Sequence, residues 1–178
     1  MTASTPAVTS VQFRFVPAQM MLCAVNRLRP AHLENFVGGA SLALPQVLTD
    51  QGLEQLGPVA VIYHRPVTED SDGPVEVCVP YQGDLSVPEG LTNRLDPDHR
   101  EAYLPLTKRE FQDSTLFNRA RLGVEQAAQA NGDVLGPLRQ VDYGVWNTRG
   151  EDEVVGELAL PMKWMNKLRP ETRGRLFP

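Results

Sequence analysis

Two stretches of the chain repeat the same order of apolar and polar positions. Leu-Gly-Pro stands at 56–58 and again at 135–137, and a tyrosine-bearing, strand-like segment follows it each time. Farther on lie two alternating segments, VEVCVPY (75–81) and GELALPM (156–162). These segments share a glutamate and a proline at matching places: Glu76 with Glu157 and Pro80 with Pro161. Features that match in order over a long offset indicate a duplicated supersecondary unit.

Each unit begins with an extended segment and continues into a helix. In 99–106 the apolar positions 102, 104 and 106 alternate with polar ones, and this period of two predicts a half-buried strand. The segment 11–25 is its counterpart. An apolar face with helical spacing predicts a helix over about 31–51, with a kink or restart at Pro45. A second helix is predicted from about Asp113, a good N-cap residue.

Two strands joined by a polar loop follow each helix, so each unit reads βαββ. The predicted fold is α+β, with two βαββ units forming a curved, mainly antiparallel sheet and two helices on one face. Residues 11–162 form a single domain, with the first repeat at about 11–85 and the second at about 98–162. A proline-rich, polar link at 86–98 joins them. Residues 1–10 are expected to be a flexible leader, and 163–178 a basic tail.

Alternation distributes the strand residues between two faces. The helix-covered face is predicted to hold the valines, leucines and alanines of the strands, together with Val141, Tyr143 and Val145. The opposite face is predicted to combine carboxylates with polar and aromatic side chains: Glu76, Glu101, Tyr103, Gln140, Asp142, Trp146 and Glu157. Such a surface suits a flat apolar ligand, with charge compensation for a cation, although a polar solvent-facing side of a sheet gives the same pattern.

Composition narrows the functional class. The chain has 178 residues, 42% hydrophobic residues and a net charge of −5. The last sixteen residues carry a charge of +4, so the body is acidic, which disfavours a nucleic-acid-binding surface. No apolar run is long enough to span a bilayer. Cys23 and Cys78 lie in apolar contexts and are expected to be buried and reduced. These features predict a cytoplasmic protein without a cofactor or a metal site.

The residues also resemble a known family. The order of GPVAVIYHRP, PVEVCVPYQG, ANGDVLGP, RQVDYGVW and GELALPM is similar to that of the GyrI-like effector-binding family, over about residues 11–162. This family includes the ligand-binding halves of multidrug-sensing and AraC-type regulators. The resemblance implies a ligand groove between the two repeats and binding of lipophilic compounds, many of them cationic. No DNA-binding half accompanies the repeats, so a stand-alone version is expected.

One departure from the family concerns ligand charge. Family members commonly carry a glutamate two residues before the tyrosine of the last hairpin, where this chain has Val141, so the carboxylate that meets cationic drugs is not carried over. Tyr143 is carried over as a pocket wall. Together, the resemblance and the alternation predict eight ligand-binding residues: Phe36, Tyr63, Glu101, Tyr103, Gln140, Asp142, Tyr143 and Trp146.

Two alternatives stay open at this stage. Some proteins of the family hydrolyse reactive small electrophiles, and a groove carboxylate with a raised pKa would serve as general base, with Glu101, Asp142 and Glu157 as candidates. The chain lacks the common hydrolase motifs, so the sequence favours a binding protein over an enzyme. A gyrase-inhibitor type of role is the other alternative. There the acidic surface or the basic tail, with Trp164, would meet a protein partner.

Overall fold

A computed structural model describes residues 10–164. It contains ten strands: β1 (Gln12–Val16), β2 (Gln19–Leu28), β3 (Glu54–Gln55), β4 (Val59–Tyr63), β5 (Gly73–Gln82), β6 (Thr92–Asp96), β7 (His99–Thr107), β8 (Gly132–Val134), β9 (Arg139–Asp142) and β10 (Val154–Trp164). The helices are α1 (Pro30–Asp50), α2 (Lys108–Gln112) and α3 (Ser114–Asn131), and a 3-10 helix spans Trp146–Thr148. The predicted leader and the predicted basic tail lie mostly outside the described residues.

The strands form one antiparallel sheet in the order β1-β7-β10-β9-β4-β5-β2-β6, with β3 paired to β5 and β8 to β10. Helix α1 packs on β2 and β5, and α3 packs on β7 and β10. The two large helices therefore cover one half of the sheet each. The predicted α+β class and the curved antiparallel sheet with helices on one face are confirmed.

The duplication is visible in the hydrogen bonds. Leu56 N donates to Pro80 O at 2.9 Å, and Leu135 N donates to Pro161 O at the same distance. The central strands β4 and β9 pair so that Ala60 faces Val141 and Ile62 faces Arg139. Because Val61 faces Gln140 midway between these pairs, the two halves are related by an approximate two-fold axis through this position.

The outermost strands are exchanged between the halves. Strand β1 pairs with β7, which belongs to the second half, and β6 pairs with β2 of the first half. The sequence pattern missed this exchange. It treated 11–25 as one strand, whereas β1 ends at Val16 and β2 begins at Gln19, and it treated 86–98 as a link, whereas β6 lies within it. Each half thus completes its sheet with a strand from the other half.

The helices begin where local chemistry favours it. The Asp113 carboxylate accepts hydrogen bonds from the N–H groups of Thr115 and Leu116 and caps α3. Thr107 and Glu110 form a capping box at the start of α2. Helix α1 starts with Pro30 and continues through Pro45 without a restart.

Each helix buries a separate apolar core. Leu44 and Leu48 of α1 pack against the valines of β5. Val124 and Ala128 of α3 pack with Leu158 of β10 and its neighbours. Among residues 10–164, no helix is long and apolar enough to cross a membrane.

Gly156 marks an irregularity in β10 that has no counterpart in β5. The register of β10 against β7 shifts between Val154 and Gly156. A Cβ atom at Gly156 would collide with the carbonyl oxygen of Val141 and lie 3.2 Å from the Phe111 ring of α2. The close approach of β9 and α2 therefore requires glycine here.

Candidate functional site

The face of the sheet away from the helices, called the open face below, has an apolar floor. Its buried members come from five strands: Met21, Cys23, Ala60, Ile62, Cys78, Val141 and Ala159. Tyr103 packs at the margin of this floor. Directly paired residues of an antiparallel sheet share a face, which explains why Ala60, Val141 and Glu157 lie together.

Three glutamates of the open face are almost fully buried. The exposed fractions of Glu76, Glu101 and Glu157 are 4%, 3% and 2%. A buried carboxylate is costly unless it is paired and hydrogen-bonded. Each of these glutamates meets at least one arginine, and none of the three arginines concerned was among the predicted site residues.

Arg14 of β1 bridges two of the glutamates. Its Nε and Nη2 donate to Glu101 Oε2 at 3.0 and 2.8 Å. Its Nη1 donates to Glu157 Oε2 at 3.2 Å, and its Nη2 also donates to Glu157 Oε1. The guanidinium carbon lies 4.3 Å from the centre of the Tyr103 ring, a cation–π contact. On the other side of Glu157, the Tyr143 hydroxyl donates to Oε2 at 2.6 Å.

The ion pairs continue towards the other end of the sheet. Arg139 donates from Nη1 and Nη2 to the two oxygens of Asp96, at 2.8 and 3.0 Å. Its Nη1 also lies 3.7 Å from Glu101 Oε1. Arg94 donates from Nη1 to Asp96 at 3.2 Å and from Nε to Glu76 at 2.8 Å. One network therefore crosses the open face from Glu157 to Glu76.

Two histidines contact the same network. His64 Nε2 lies 2.8 Å from Glu76 Oε2. His99 is buried, with Nε2 3.2 Å from Glu101 Oε1 and Nδ1 2.7 Å from the carbonyl oxygen of Pro97. Both ring nitrogens of His99 thus face acceptors, an arrangement that favours the doubly protonated imidazolium.

The ion-pair and hydrogen-bond partners determine the direction in which the pKa values of the buried groups shift. Burial by itself would raise the pKa of Glu101, but the hydrogen bond from His99 and the charge of Arg14 outweigh it and leave the pKa lowered. Burial opposes ionisation of Glu76 and Asp96 as well, and partners again dominate, chiefly His64 with Arg94 for Glu76 and Arg139 for Asp96, so both pKa values are lowered. Burial lowers the pKa of His99, yet the hydrogen bond to Glu101 raises it overall. The prediction that a groove carboxylate has a raised pKa is thus wrong for Glu101.

The cysteines also lie on the floor of the open face. Both are buried and free, and Cys23 faces Cys78 in the β2–β5 pair. The contact with the Cys78 thiol, burial and nearby Glu76 raise the pKa of Cys23. Because the thiolate is the reactive form, this environment does not suit a nucleophile. Among residues 10–164, no three His, Cys, Asp or Glu side chains are grouped as metal ligands.

A cavity of about 160 Å³ opens where the two halves meet. Its apolar wall comes largely from the first half: Val16, Met21, Leu56, Pro58, Ala60 and Pro80, with Val141 from the second. Its polar lining comprises Arg14, Gln19, Glu101 and Arg139. This seam cavity combines apolar surface with fixed polar groups, as small-molecule sites generally do.

The structure brings some of the predicted residues together on the open face. Glu101, Tyr103, Tyr143 and Glu157 all contact Arg14 or one another. Of these, Glu101 lines the seam cavity itself. The assignment of Glu101, Tyr103 and Tyr143 to ligand binding stays a prediction, as does that of Glu157 as a candidate general base.

The other predicted residues lie elsewhere. In β9 the predicted alternation is wrong, because pairing with Ala60 and Glu157 places Val141 on the open face. Gln140 therefore points to the helix-covered side, where it lines a pocket with Phe111 and Phe117. The Asp142 carboxylate, which is exposed, accepts a hydrogen bond from Gly144 N at 2.8 Å.

Three predicted aromatic residues also pack away from the open face. Tyr63 and Phe36 pack against the core under α1. Trp146 lies edge-on to Phe111 at 6.2 Å, near α2, and Lys108 lies over its ring. Tyr143, expected on the helix-covered face, instead reaches Glu157.

The sequence pattern does indicate the face of one site residue that the prediction missed, Arg14. In QFRFV (12–16), Phe13 and Phe15 alternate with Gln12, Arg14 and Val16, which places Arg14 opposite the phenylalanines. The strand is too short to show, without its partner, which face is the open one. Arg94 and Arg139 carried no comparable signal, because their partners come from distant segments.

Several solved structures share the fold of this chain. No family model and no curated protein sequence matches the chain. Among solved structures, the C-terminal domain of EcmrR superposes with a TM-score of 0.67 at 13% identity, over 89% of this chain and 99% of that domain. EcmrR in its DNA complex gives 0.70 at 12% identity and 89% coverage, and this chain spans 59% of its length.

Two further structures show the same likeness. SAV2435 bound to tetraphenylphosphonium has a TM-score of 0.55 at 10% identity, covering 86% of this chain and 94% of that one. A hydrolase from Listeria innocua has a TM-score of 0.52 at 11% identity, covering 87% and 92%. At these identities the likeness concerns the fold alone. The chain therefore has the fold of the EcmrR C-terminal domain, in keeping with its resemblance to GyrI-like effector-binding proteins.

Proposed function

We propose that this protein binds and sequesters a lipophilic small molecule in the seam cavity. The observation that carries the proposal is the cavity itself, about 160 Å³ between the halves, with an apolar wall and a buried charged network at one end. The fold adds support, because SAV2435 shares it and has a structure bound to tetraphenylphosphonium, a lipophilic cation.

A hydrolase from Listeria innocua shares the fold as well, but the geometry of the cavity does not favour hydrolysis. A hydrolase would need a carboxylate free to accept a proton from water. Glu101, the candidate at the cavity, already accepts two hydrogen bonds from Arg14 and lies against His99. A protein partner at the acidic surface or the basic tail stays a prediction from the sequence.

The test is thermal unfolding of the full chain with a panel of neutral, cationic and anionic aromatic compounds. A ligand at one hundred times its Kd adds about 2.7 kcal/mol of stability. For a chain of this size, this raises Tm by roughly 5–10 °C.

A variant locates the site. Ala60→Leu places three further carbon atoms in the cavity and is expected to abolish the ligand-induced shift. Ala130→Leu, at an exposed position near the end of α3, is the matched control and should retain the shift. Equal shifts in both variants would place the ligand elsewhere, and no shift with any compound would refute the proposed function.

A further inference from the structure

The size of the seam cavity limits the ligand. A dry apolar cavity of about 150 Å³ in another protein holds one benzene ring. The seam cavity, at about 160 Å³, is of that size, and Met21, Ala60 and Val141 give it an apolar floor. The cavity is open to solvent on one side, so the part of a ligand that it encloses is about one six-membered ring with a short substituent.

The charges around the cavity are balanced. The network contains four carboxylates, on Glu76, Asp96, Glu101 and Glu157. Three guanidiniums face them, on Arg14, Arg94 and Arg139. His99, buried with both ring nitrogens directed at acceptors, supplies a fourth positive charge when it is doubly protonated, and His64 contacts Glu76 at the far end of the network.

This balance disfavours a charged ligand of either sign. A cation would have to displace Arg14 or Arg139 from its carboxylates, since these guanidiniums already occupy the acceptor oxygens of Glu101 and Asp96. An anion on Arg139 would lie close to Asp96 and to Glu101, whose Oε1 is 3.7 Å from Arg139 Nη1. A charge that enters a buried site without a new partner loses its hydration without compensation.

At the cavity, hydrogen-bond donors without a partner outnumber acceptors without a partner. A guanidinium has five N–H donors. Within residues 10–164, the hydrogen bonds of Arg139 are the two to Asp96, and its Nη1 also forms an ion pair with Glu101 Oε1 at 3.7 Å, which leaves its Nε–H and one Nη2 hydrogen without an acceptor. The side chain of Arg139 is 12% exposed and lines the cavity. Glu101, in contrast, is an acceptor that Arg14 and His99 already occupy.

Taken together, these observations assign a ligand class to the site. We infer that the seam cavity takes an uncharged molecule of one-ring size that carries a carbonyl-type oxygen, and that this oxygen accepts a hydrogen bond from Arg139. The inference rests on the proposed function and deepens it by naming the ligand class. It also separates this chain from the cation binding that its family resemblance implies.

Four probes of nearly equal size test the ligand class: acetophenone, ethylbenzene, benzoate and benzylammonium. Their affinities for the full chain are measured by isothermal titration calorimetry at pH 7. Acetophenone is expected to bind about tenfold or more tightly than each of the others, because a hydrogen bond to a charged donor typically contributes 1.5–3 kcal/mol. Benzoate or benzylammonium binding as tightly as acetophenone would overturn the inferred class.

A second set of variants tests Arg139 as the donor. Arg139→Lys keeps the charge opposite Asp96 but removes the guanidinium N–H groups, and the preference for acetophenone over ethylbenzene should fall to less than about threefold. Ethylbenzene affinity should stay unchanged, which shows that the cavity is intact. Arg94→Lys, in the same network but not lining the cavity, is the control and should retain the tenfold preference.

The outcomes distinguish the inference from the proposed function. If acetophenone and ethylbenzene bind equally, and Ala60→Leu blocks both, the cavity binds small molecules but the inferred role of Arg139 is wrong. If a loss of preference occurs equally in Arg94→Lys, the effect belongs to the network and not to a hydrogen bond from Arg139. If none of the four probes binds and the wider panel also fails, both are refuted.

Discussion

The two halves of the molecule present the same framework with different side chains at its centre. Around the seam cavity, four positions of the first half hold small, apolar or uncharged residues, whereas the equivalent positions of the second half hold charged ones. The pairs are Val16 and Asp96, Gln19 and His99, Met21 and Glu101, and Ala60 and Arg139. The two halves of the duplicated sheet therefore differ at the seam: the first half supplies most of the apolar cavity wall, and the second half supplies charged residues of the ion-pair network.

Farther from the seam the halves remain alike. Glu157 meets Arg14 and Tyr143, and its counterpart Glu76 meets Arg94 and His64. In both cases the arginine comes from an edge strand that the other half contributes. Apart from the irregularity at Gly156 and the exchange of His64 for Tyr143, the charged residues that distinguish the second half are those equivalent to the cavity-lining positions of the first.

The largest effect on stability is expected when Arg139 is replaced by alanine, the residue at the equivalent position, Ala60, of the first half. Arg139→Ala leaves Asp96 buried without its bidentate partner, and the free energy of unfolding in urea should fall by about 3 kcal/mol. Adding Asp96→Val, the residue equivalent to Val16, removes the unpaired charge, so the double variant should lose less than the sum of the single losses.

An exposed pair provides the control for this cycle. Arg109 and Asp152 lie 3.0 Å apart with both side chains mostly exposed, and Arg109→Ala should cost less than about 1 kcal/mol. A similar small cost for Arg139→Ala would show that the network does not stabilise the fold.

A moderate effect is expected at Gly156, where the first half has Val75. Gly156→Val brings a side chain against the Val141 carbonyl and the Phe111 ring, and overpacking of this kind should cost about 2 kcal/mol of unfolding free energy. Gly136→Ala enters open space and should be nearly neutral. Equal stability of the two variants would contradict the close approach of β9 and α2.

The smallest effect concerns pH. The pKa of His99 is raised in the folded state, so its contribution to stability is complete below its ordinary unfolded value, about 6.5, and is lost as pH rises through the folded value. His99→Gln introduces the residue found at the equivalent position, Gln19, and should reduce the loss of stability between about pH 6 and pH 9. The measurement is urea unfolding of both proteins across that range. An unchanged slope in His99→Gln would assign the pH dependence to another group.

Local patterns predicted the features that depend on neighbouring residues. Asp113 caps α3 as expected, and Glu101 and Glu157 alternate with leucines and alanines in strands of nine and eleven residues, long enough to fix their faces. Strand β9 has only four residues, and its face is set by pairing with Ala60 and Glu157 instead of by its own alternation.

The sequence pattern could not predict the arginine network, because that network also depends on pairing between distant segments. Arg14 lies 87 residues from Glu101 and 143 from Glu157, so no local spacing indicates the contact. The carboxylates alone suggested a surface prepared for cations. With Arg14, Arg94 and Arg139 in place, each carboxylate of the network is paired with an arginine within the protein.

The exchange of edge strands has a consequence for the order in which the chain can fold during synthesis. Strand β1 leaves the ribosome first, yet its partner β7 begins only at His99. The first half likewise acquires Arg94, the partner of Glu76, only when β6 emerges. Domains of many proteins fold as units from the N-terminus while translation continues. Here the nascent first half carries an unpaired strand and a glutamate that has His64 but not yet Arg94 as a partner, so completion of its strand pairing waits until β6 and β7 have emerged.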